Sequence, residues 1–242
     1  MNLVIDVGNS FVKLAIFNKN KLQHKETIRL NAFVDVISSI ASTQPEIKKV
    51  LVSSVARLSA EQKEALKKRF KLFEINHKTK VPFKNCYKTP KTLGVDRMVL
   101  VSASVHKFPK SNVLIIDAGT CVTFDFVTAN KEYLGGAISP GIRMRYQSLN
   151  HFTVNLPLLD TQMPDNIIGN STKSSMHSGV VNGLVHEIEG VISEYKQKYS
   201  DLTVILTGGD ANFLSKQLKS SIFANSNFLL EGLNYILQFN SN

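Results

Sequence analysis

The chain has 242 residues, 43% hydrophobic and 20% charged, the balance of one or two globular domains rather than of a disordered, collagenous or disulfide-stapled chain. Its net charge of +10 is lopsided, with 19 Lys/Arg against 8 Asp/Glu in residues 1–100 and 10 against 11 in residues 101–242. The basic cluster from Lys63 to Lys91 reads as a solvated face that can also steer an anionic substrate.

Apolar runs at Leu3–Val7, Phe11–Phe17 and Leu22–Leu30, separated by the turn signals Gly8-Asn9 and Asn18-Lys19-Asn20, predict an opening β-meander. Val34, Ile37 and Ile40 then fall at helical spacing within residues 32–41, ahead of a strand at Val50–Ser53. A helix over Ser59–Phe70 opens on a capping-box pattern, Ser59 with Gln62, and a short strand follows at Leu72–Ile75. Residues 76–92, rich in Lys and Thr with Pro82 and Pro90, read as a connector.

The second half opens in the same way, with strands at Val113–Ile116, Val122–Val127 and Tyr133–Ile138. Helical periodicity covers Gly141–Leu149 and a long stretch from Ser174 to Lys198, before a strand at Thr203–Leu206 and two final helical segments. Residues 150–173, with Pro157, Pro164 and Gly169, read as a polar loop over a site. No run reaches the roughly 18 apolar residues that span a bilayer. Asp6 and Gly8 interrupt the first apolar run where a signal peptide would need continuity, so a cytoplasmic location is expected. Cys86 and Cys121 form no CxxC and no ligand spacing with His, so neither a disulfide framework nor a zinc site is expected.

Asp6-Val7-Gly8-Asn9-Ser10 and Asp117-Ala118-Gly119-Thr120-Cys121 follow runs of three and four apolar residues respectively and each precede another strand, a repeat of about 111 residues. Two such halves predict a duplicated α/β fold with a ligand cleft between them, divided here as residues 1–90 and 91–242. A strand ending in Asp and turning at Gly brings a carboxylate and bare N–H groups to one place, as phosphates and their metal require. One Asp-x-Gly alone is ordinary hairpin chemistry. Two in equivalent places favour a nucleotide site.

Lys13 can neutralise phosphate charge during transfer, or be a solvated lysine on the polar face of its strand. In Gly94-Val95-Asp96-Arg97, Asp96 can act as a general base and Arg97 as a fork for a carboxylate; a helix cap with an adjacent charge pair is the bland alternative. Gly135-Gly136 and Gly208-Gly209 each follow a strand and precede a helix, where bare backbone suits close approach or an adenine face, or simply a tight turn. The chain contains neither GxxxxGK[ST] nor GxGxxG, which disfavours P-loop and Rossmann readings.

In order along the chain, Asp6-x-Gly8-Asn9-Ser10-x-x-Lys13, Leu93-Gly94-x-Asp96-Arg97, Asp117-x-Gly119-Thr120, Gly135-Gly136-x-Ile138-x-Pro140-Gly141 and Thr207-Gly208-Gly209-Asp210 resemble the type III pantothenate kinases of the acetate/sugar kinase–Hsp70–actin superfamily. The resemblance implies an actin-like (ribonuclease H-like) fold of two mixed-sheet halves and transfer of the ATP γ-phosphoryl to the primary hydroxyl of pantothenate, the first step of coenzyme A synthesis. It carries over Asp6, Val7, Gly8, Asn9, Ser10, Phe11, Val12 and Lys13 as the ATP-phosphate segment, with Asp6 near Mg²⁺, and Thr120 as a further ATP contact. Asp96 becomes the catalytic base, and Tyr87, Gly94, Val95, Asp96, Arg97 and Thr172 line the pantothenate site. Asp117 is implied as the site of a monovalent cation, K⁺ or NH₄⁺, and the chain as a homodimer. Ser10 stands where the family usually has Thr, and Cys121 and Phe124 flank the second turn where smaller or polar residues are usual.

Two rivals accompany this expectation. One is a kinase of the same fold acting on another hydroxylated acid or sugar. The other is a non-catalytic regulator meeting nucleic acid through the basic first half, which predicts missing site residues, whereas Asp6, Asp96 and Asp117 are all present.

Overall fold

The computed structural model describes residues 1–8, 11–53 and 58–241. The chain divides into two compact units, Met1–Lys107 with Phe228–Asn242, and Phe108–Asn227. Residues 90 and 91, where the sequence divides the halves, both fall inside the first unit, which runs on to Lys107.

The first unit opens with the expected meander, β1 (Asn2–Val7), β2 (Val12–Asn18) and β3 (Lys21–Ile28), followed by α1 (Phe33–Thr43), β4 (Lys49–Ser53), α2 (Ala60–Lys67) and β5 (Lys71–Glu74). These strands lie in the order β3-β2-β1-β4-β5, with β1 antiparallel to β2 and parallel to β4. Period-two alternation gives the sheet two apolar faces. Leu3, Ile5, Leu14 and Ile16 meet the α1 stripe Phe33, Ile37 and Ile40 and Leu66 of α2; Phe33, rather than the expected Val34, starts that stripe. The Ser59–Gln62 capping box is present in both directions. After the two-residue strand β6 (Lys84–Asn85) comes α3 (Val95–Lys107). Its Val99 packs with Val4, Ala15, Phe17 and Leu51 on the second face of the sheet.

The second unit repeats the plan: β7 (Asn112–Ala118), β8 (Cys121–Val127), β9 (Glu132–Pro140), α4 (Ile142–His151), α5 (Thr172–His177), α6 (Gly183–Lys198), β10 (Leu202–Thr207), α7 (Ala211–Leu214) and β11 (Phe223–Ala224). Its own strands run β9-β8-β7-β10-β11, the same order as the first sheet. Leu114, Ile116, Val122 and Phe124 form a core with Ile142, Leu184, Ile188 and Ile192. The long helix expected from Ser174 starts at Thr172 and is interrupted by a π-helical turn at Ser178–Asn182. The strand β11 was not expected; two residues are too few for periodicity to show. The last helix, α8 (Phe228–Phe239), rejoins the first unit. No helix among the described residues is long and apolar enough to cross a membrane.

Candidate active site

In the first unit the Asp-x-Gly turn closes on a hydrogen bond from the Gly8 N–H to the Phe11 carbonyl at 3.0 Å. That closure sets Val7 opposite Val12 and Asp6 opposite Lys13. Directly opposed residues of an antiparallel pair project to one face. Asp6 and Lys13, both half-buried, therefore stand on the same face as Val4, Ala15 and Phe17, the face against which α3 and α8 pack. Phe11 is 50% exposed at the turn. Asn9 and Ser10 lie outside the described residues.

The Gly94–Arg97 motif forms the first turn of α3. Asp96 Oδ1 accepts the Arg97 backbone N–H at 2.9 Å, satisfying one of the donors that every helix start leaves open, where the helix dipole favours negative charge. A β-carbon on Gly94 would fall 2.4 Å from this same Oδ1, so the bare position makes room for the carboxylate. Asp96 is nevertheless exposed. Arg97 is buried, at 5% exposure, with its guanidinium carbon 5.6 Å from the centre of the Tyr87 ring, within cation–π range. Tyr87, Gly94, Val95, Asp96 and Arg97 thus come together at one helix start, a carboxylate beside a stacked guanidinium. Such a pair can take a proton from a hydroxyl while holding an anionic group.

In the second unit the turn after β7 closes from the Gly119 N–H to the Cys121 carbonyl at 2.9 Å, setting Asp117 opposite Thr123. Two bare positions wrap it. Gly141, the N-cap of α4, donates to the Thr120 carbonyl at 3.1 Å, and a β-carbon there would lie 2.1 Å from the Gly119 carbonyl oxygen. Gly208, at φ +96°, would bring a β-carbon within 2.2 Å of the Ala118 carbonyl oxygen and 2.5 Å of Asp117 Oδ1. The Asp210 N–H completes the wrap by donating to the Ala118 carbonyl at 2.9 Å. Motifs separated along the sequence, at 117–120, 140–141 and 207–210, therefore converge on one turn.

At Gly119 and Gly209 a β-carbon would meet nothing within 4 Å. These two open stretches of backbone suit phosphate oxygens and a flat ring. Burial raises the Asp210 carboxyl above its ordinary value. Thr120 is exposed at the turn; Thr172, also exposed, is the first residue of α5 behind the Ser171 cap.

Among the described residues no three His, Cys, Asp or Glu side chains gather as a metal cage. A hard divalent ion held by one or two carboxylates plus substrate phosphates needs no such cage, so the single aspartates one residue before the ends of β1 and β7, beside bare turns, fit magnesium carried in with a nucleotide. The half-buried Asp117 likewise offers the oxygen donor that a monovalent cation takes.

Sequence reasoning passed over Thr123 and Asp125. The Asp125 carboxylate is completely buried and accepts the Tyr133 hydroxyl at 2.6 Å and the Thr123 hydroxyl at 3.2 Å. A polar Thr-x-Asp alternation inside an otherwise apolar strand was the available signal.

A family model described as type III pantothenate kinase matches residues 2–194. Type III pantothenate kinases from Christiangramia forsetii and Flavobacterium psychrophilum are 51% and 50% identical to the chain, each alignment covering 99% of both partners. Among solved structures, a Baf family transcriptional activator from Campylobacter jejuni is similar at 21% identity and TM-score 0.64, covering 98% of each chain. A glucokinase from an Antarctic psychrotroph is similar at 12% identity and TM-score 0.53, again covering 98% of each. These two likenesses carry the fold, which is the actin-like α/β fold.

Proposed function

The chain belongs to the type III pantothenate kinase family, and from that premise we propose how its residues divide the work of the transfer. The enzyme is an ATP-dependent phosphotransferase that phosphorylates pantothenate in coenzyme A biosynthesis. The acceptor is the primary hydroxyl, and the product 4'-phosphopantothenate. The observation that carries the assignment is the start of α3, where Asp96 is exposed yet oriented by its own helix, beside Arg97 stacked on Tyr87.

Asp96 is the general base and accepts the proton of the pantothenate hydroxyl as it attacks the γ-phosphorus. The Arg97 guanidinium, packed against Tyr87, pairs with the pantothenate carboxylate; Gly94 and Val95 line the substrate beside it, and Thr172 is read as a further pantothenate contact. The Asp6–Lys13 turn holds ATP phosphates, with the Lys13 ammonium neutralising charge on the transferred group. Thr120 and the open backbone at Gly119 bind phosphate oxygens, and Gly209 offers the flat approach for adenine. Magnesium, when bound, neutralises the phosphate oxygens, and Asp6 would hold it through them. Asp117 holds a monovalent cation, K⁺ or NH₄⁺. We further read the enzyme as a cytoplasmic homodimer. The regulator reading gains nothing from the Campylobacter jejuni structure, since a likeness at 21% identity speaks for the fold alone.

ADP release with Mg-ATP and pantothenate, in potassium and again in sodium buffer, tests the assignment beside Asp96→Asn. Turnover that needs pantothenate, needs potassium, and falls by about 10²–10⁴-fold in Asp96→Asn is expected. Unchanged turnover in that variant would remove Asp96 as the base. Turnover with a different hydroxylated acid and none with pantothenate would overturn the substrate.

A further inference from the structure

The two Asp-x-Gly turns differ in what stands across from the aspartate. In the first unit Asp6 faces Lys13; in the second Asp117 faces Thr123. The two sheets have the same plan, each aspartate being the last residue but one of the central strand of its sheet, so Lys13 and Thr123 occupy corresponding places. One half carries a built-in ammonium opposite its carboxylate. The other carries only a hydroxyl.

That hydroxyl is oriented. Thr123 Oγ1 donates to Asp125 Oδ2 at 3.2 Å, and the fully buried Asp125 takes the Tyr133 hydroxyl on Oδ1 at 2.6 Å. A hydroxyl has one proton and two acceptor lone pairs. With its proton committed to Asp125, Thr123 Oγ1 presents lone pairs alone to the remaining space. Asp117 and Thr123, directly opposed, share that sheet face with β-carbons about 4.5–5.5 Å apart. A pair of oxygens of this kind, one charged and one neutral, suits a hard monovalent cation and equally an ammonium ion, which would donate to both.

We propose that Thr123 Oγ1 is a second oxygen ligand of the monovalent cation assigned to Asp117, and that the Tyr133–Asp125 pair fixes it in the acceptor orientation. The exchangeable cation would then occupy, in the second unit, the place that the Lys13 ammonium holds in the first. The proposal rests on the reading of Asp117 as the cation site, and the test separates the two.

The probe is potassium chloride replacing choline chloride at constant ionic strength, with Mg-ADP present, and the readout is melting temperature against potassium concentration. Wild type and Thr123→Ser should rise with closely similar potassium midpoints. Thr123→Val should need about tenfold more potassium or beyond, the scale on which losing a group that supports a metal site acts. Thr123→Cys, which keeps a weak donor for Asp125 but replaces a hard oxygen by soft sulfur, should behave like Val and guards against a Val variant that does not fold. A wild-type midpoint in Thr123→Val or Thr123→Cys, with the response lost in Asp117→Asn, would overturn the role of Thr123 and leave the Asp117 reading standing. A wild-type protein indifferent to potassium would overturn both.

Discussion

At the scale of single residues, the double glycine after β10 separates two jobs that look identical in the sequence. Gly208 sits at φ +96° with Ala118 and Asp117 against it, whereas Gly209 has open space where a side chain would be. Gly208→Ala should therefore lower the melting temperature without any nucleotide, through left-handed strain and a displaced Asp117, a cost of about 1–3 kcal/mol. Gly209→Ala should leave that melting temperature nearly unchanged, within about 0.5 kcal/mol, and yet raise the KM for ATP if adenine lies across it. Thermal unfolding of both apoproteins and ATP saturation curves check the pair; equal destabilisation would contradict the distinction. The sequence made the turns themselves legible, because Asp and Gly at a strand end are local chemistry. It hid what the glycines are for: Gly136, expected to admit a passing group, lies against the Phe124 carbonyl of its own neighbouring strand, where a β-carbon would fall at 1.6 Å. It also hid Thr123. The repeat keeps an offset of 111 through the turn and would match Lys13 with Phe124. The second turn is one residue shorter between its strands, however, so the register sets Thr123 opposite Asp117 and leaves Phe124 in the core.

At the scale of elements, α6 does more than cover its sheet. Glu189, on this helix, accepts the Ser220 hydroxyl at 2.6 Å and the Ser220 N–H at 3.0 Å, together with the Lys219 N–H. It thereby anchors the segment that leads to β11. Burial alone would raise its carboxyl, but the Ser220 and Lys219 hydrogen bonds and the Lys196 charge outweigh that and hold it below its ordinary value of 4.5. The sign follows from linkage: a lowered folded value contributes stability above the unfolded value and loses it as pH falls through the folded one. Glu189→Gln should be less stable than wild type by about 1–2 kcal/mol at pH 7, and urea unfolding should show the gap closing as pH drops below roughly 4. A gap independent of pH would mean that packing, not the charged acceptor, matters there. None of this anchoring could be read beforehand, since Glu189 and Ser220 meet only through the fold. What periodicity did show was the stripe Leu184, Ile188, Ile192; the π-helical turn ahead of it leaves the apolar spacing intact and so gives no sign in the sequence.

At the scale of the whole molecule, the chain leaves its first unit at Lys107 and returns to it at Phe228. The sequence showed only that helical segments finish the chain, and an apolar stripe fits any apolar face, so the sheet that α8 covers was not legible. The structure supplies the reason for the choice. Phe228, Leu230, Leu233, Ile236 and Leu237 are all buried, and Asn234 ties the helix down by accepting from Asn2 at 2.9 Å and donating to the Lys19 carbonyl at 2.8 Å. Gln238 donates to that same carbonyl at 2.9 Å, in a turn where Lys19 takes the left-handed φ of 52°. Each large apolar side chain so buried contributes about 1.5–3 kcal/mol, and a whole domain has only about 5–15 kcal/mol to lose. A chain ending at Asn227 should therefore fail to fold its first unit, and with it the turn that bears Asp6 and Lys13 and the helix start that bears Asp96. Hydrogen exchange should find β1, β2 and α3 unprotected in the truncated protein, and a peptide of residues 228–242 added in trans should restore protection. Retained protection without the peptide would show that the meander and α3 hold each other unaided. Because α8 follows the second unit along the chain, the first unit cannot be completed until the second has been made, which makes the start of α3, with the proposed base Asp96, one of the later sites to become ordered during synthesis.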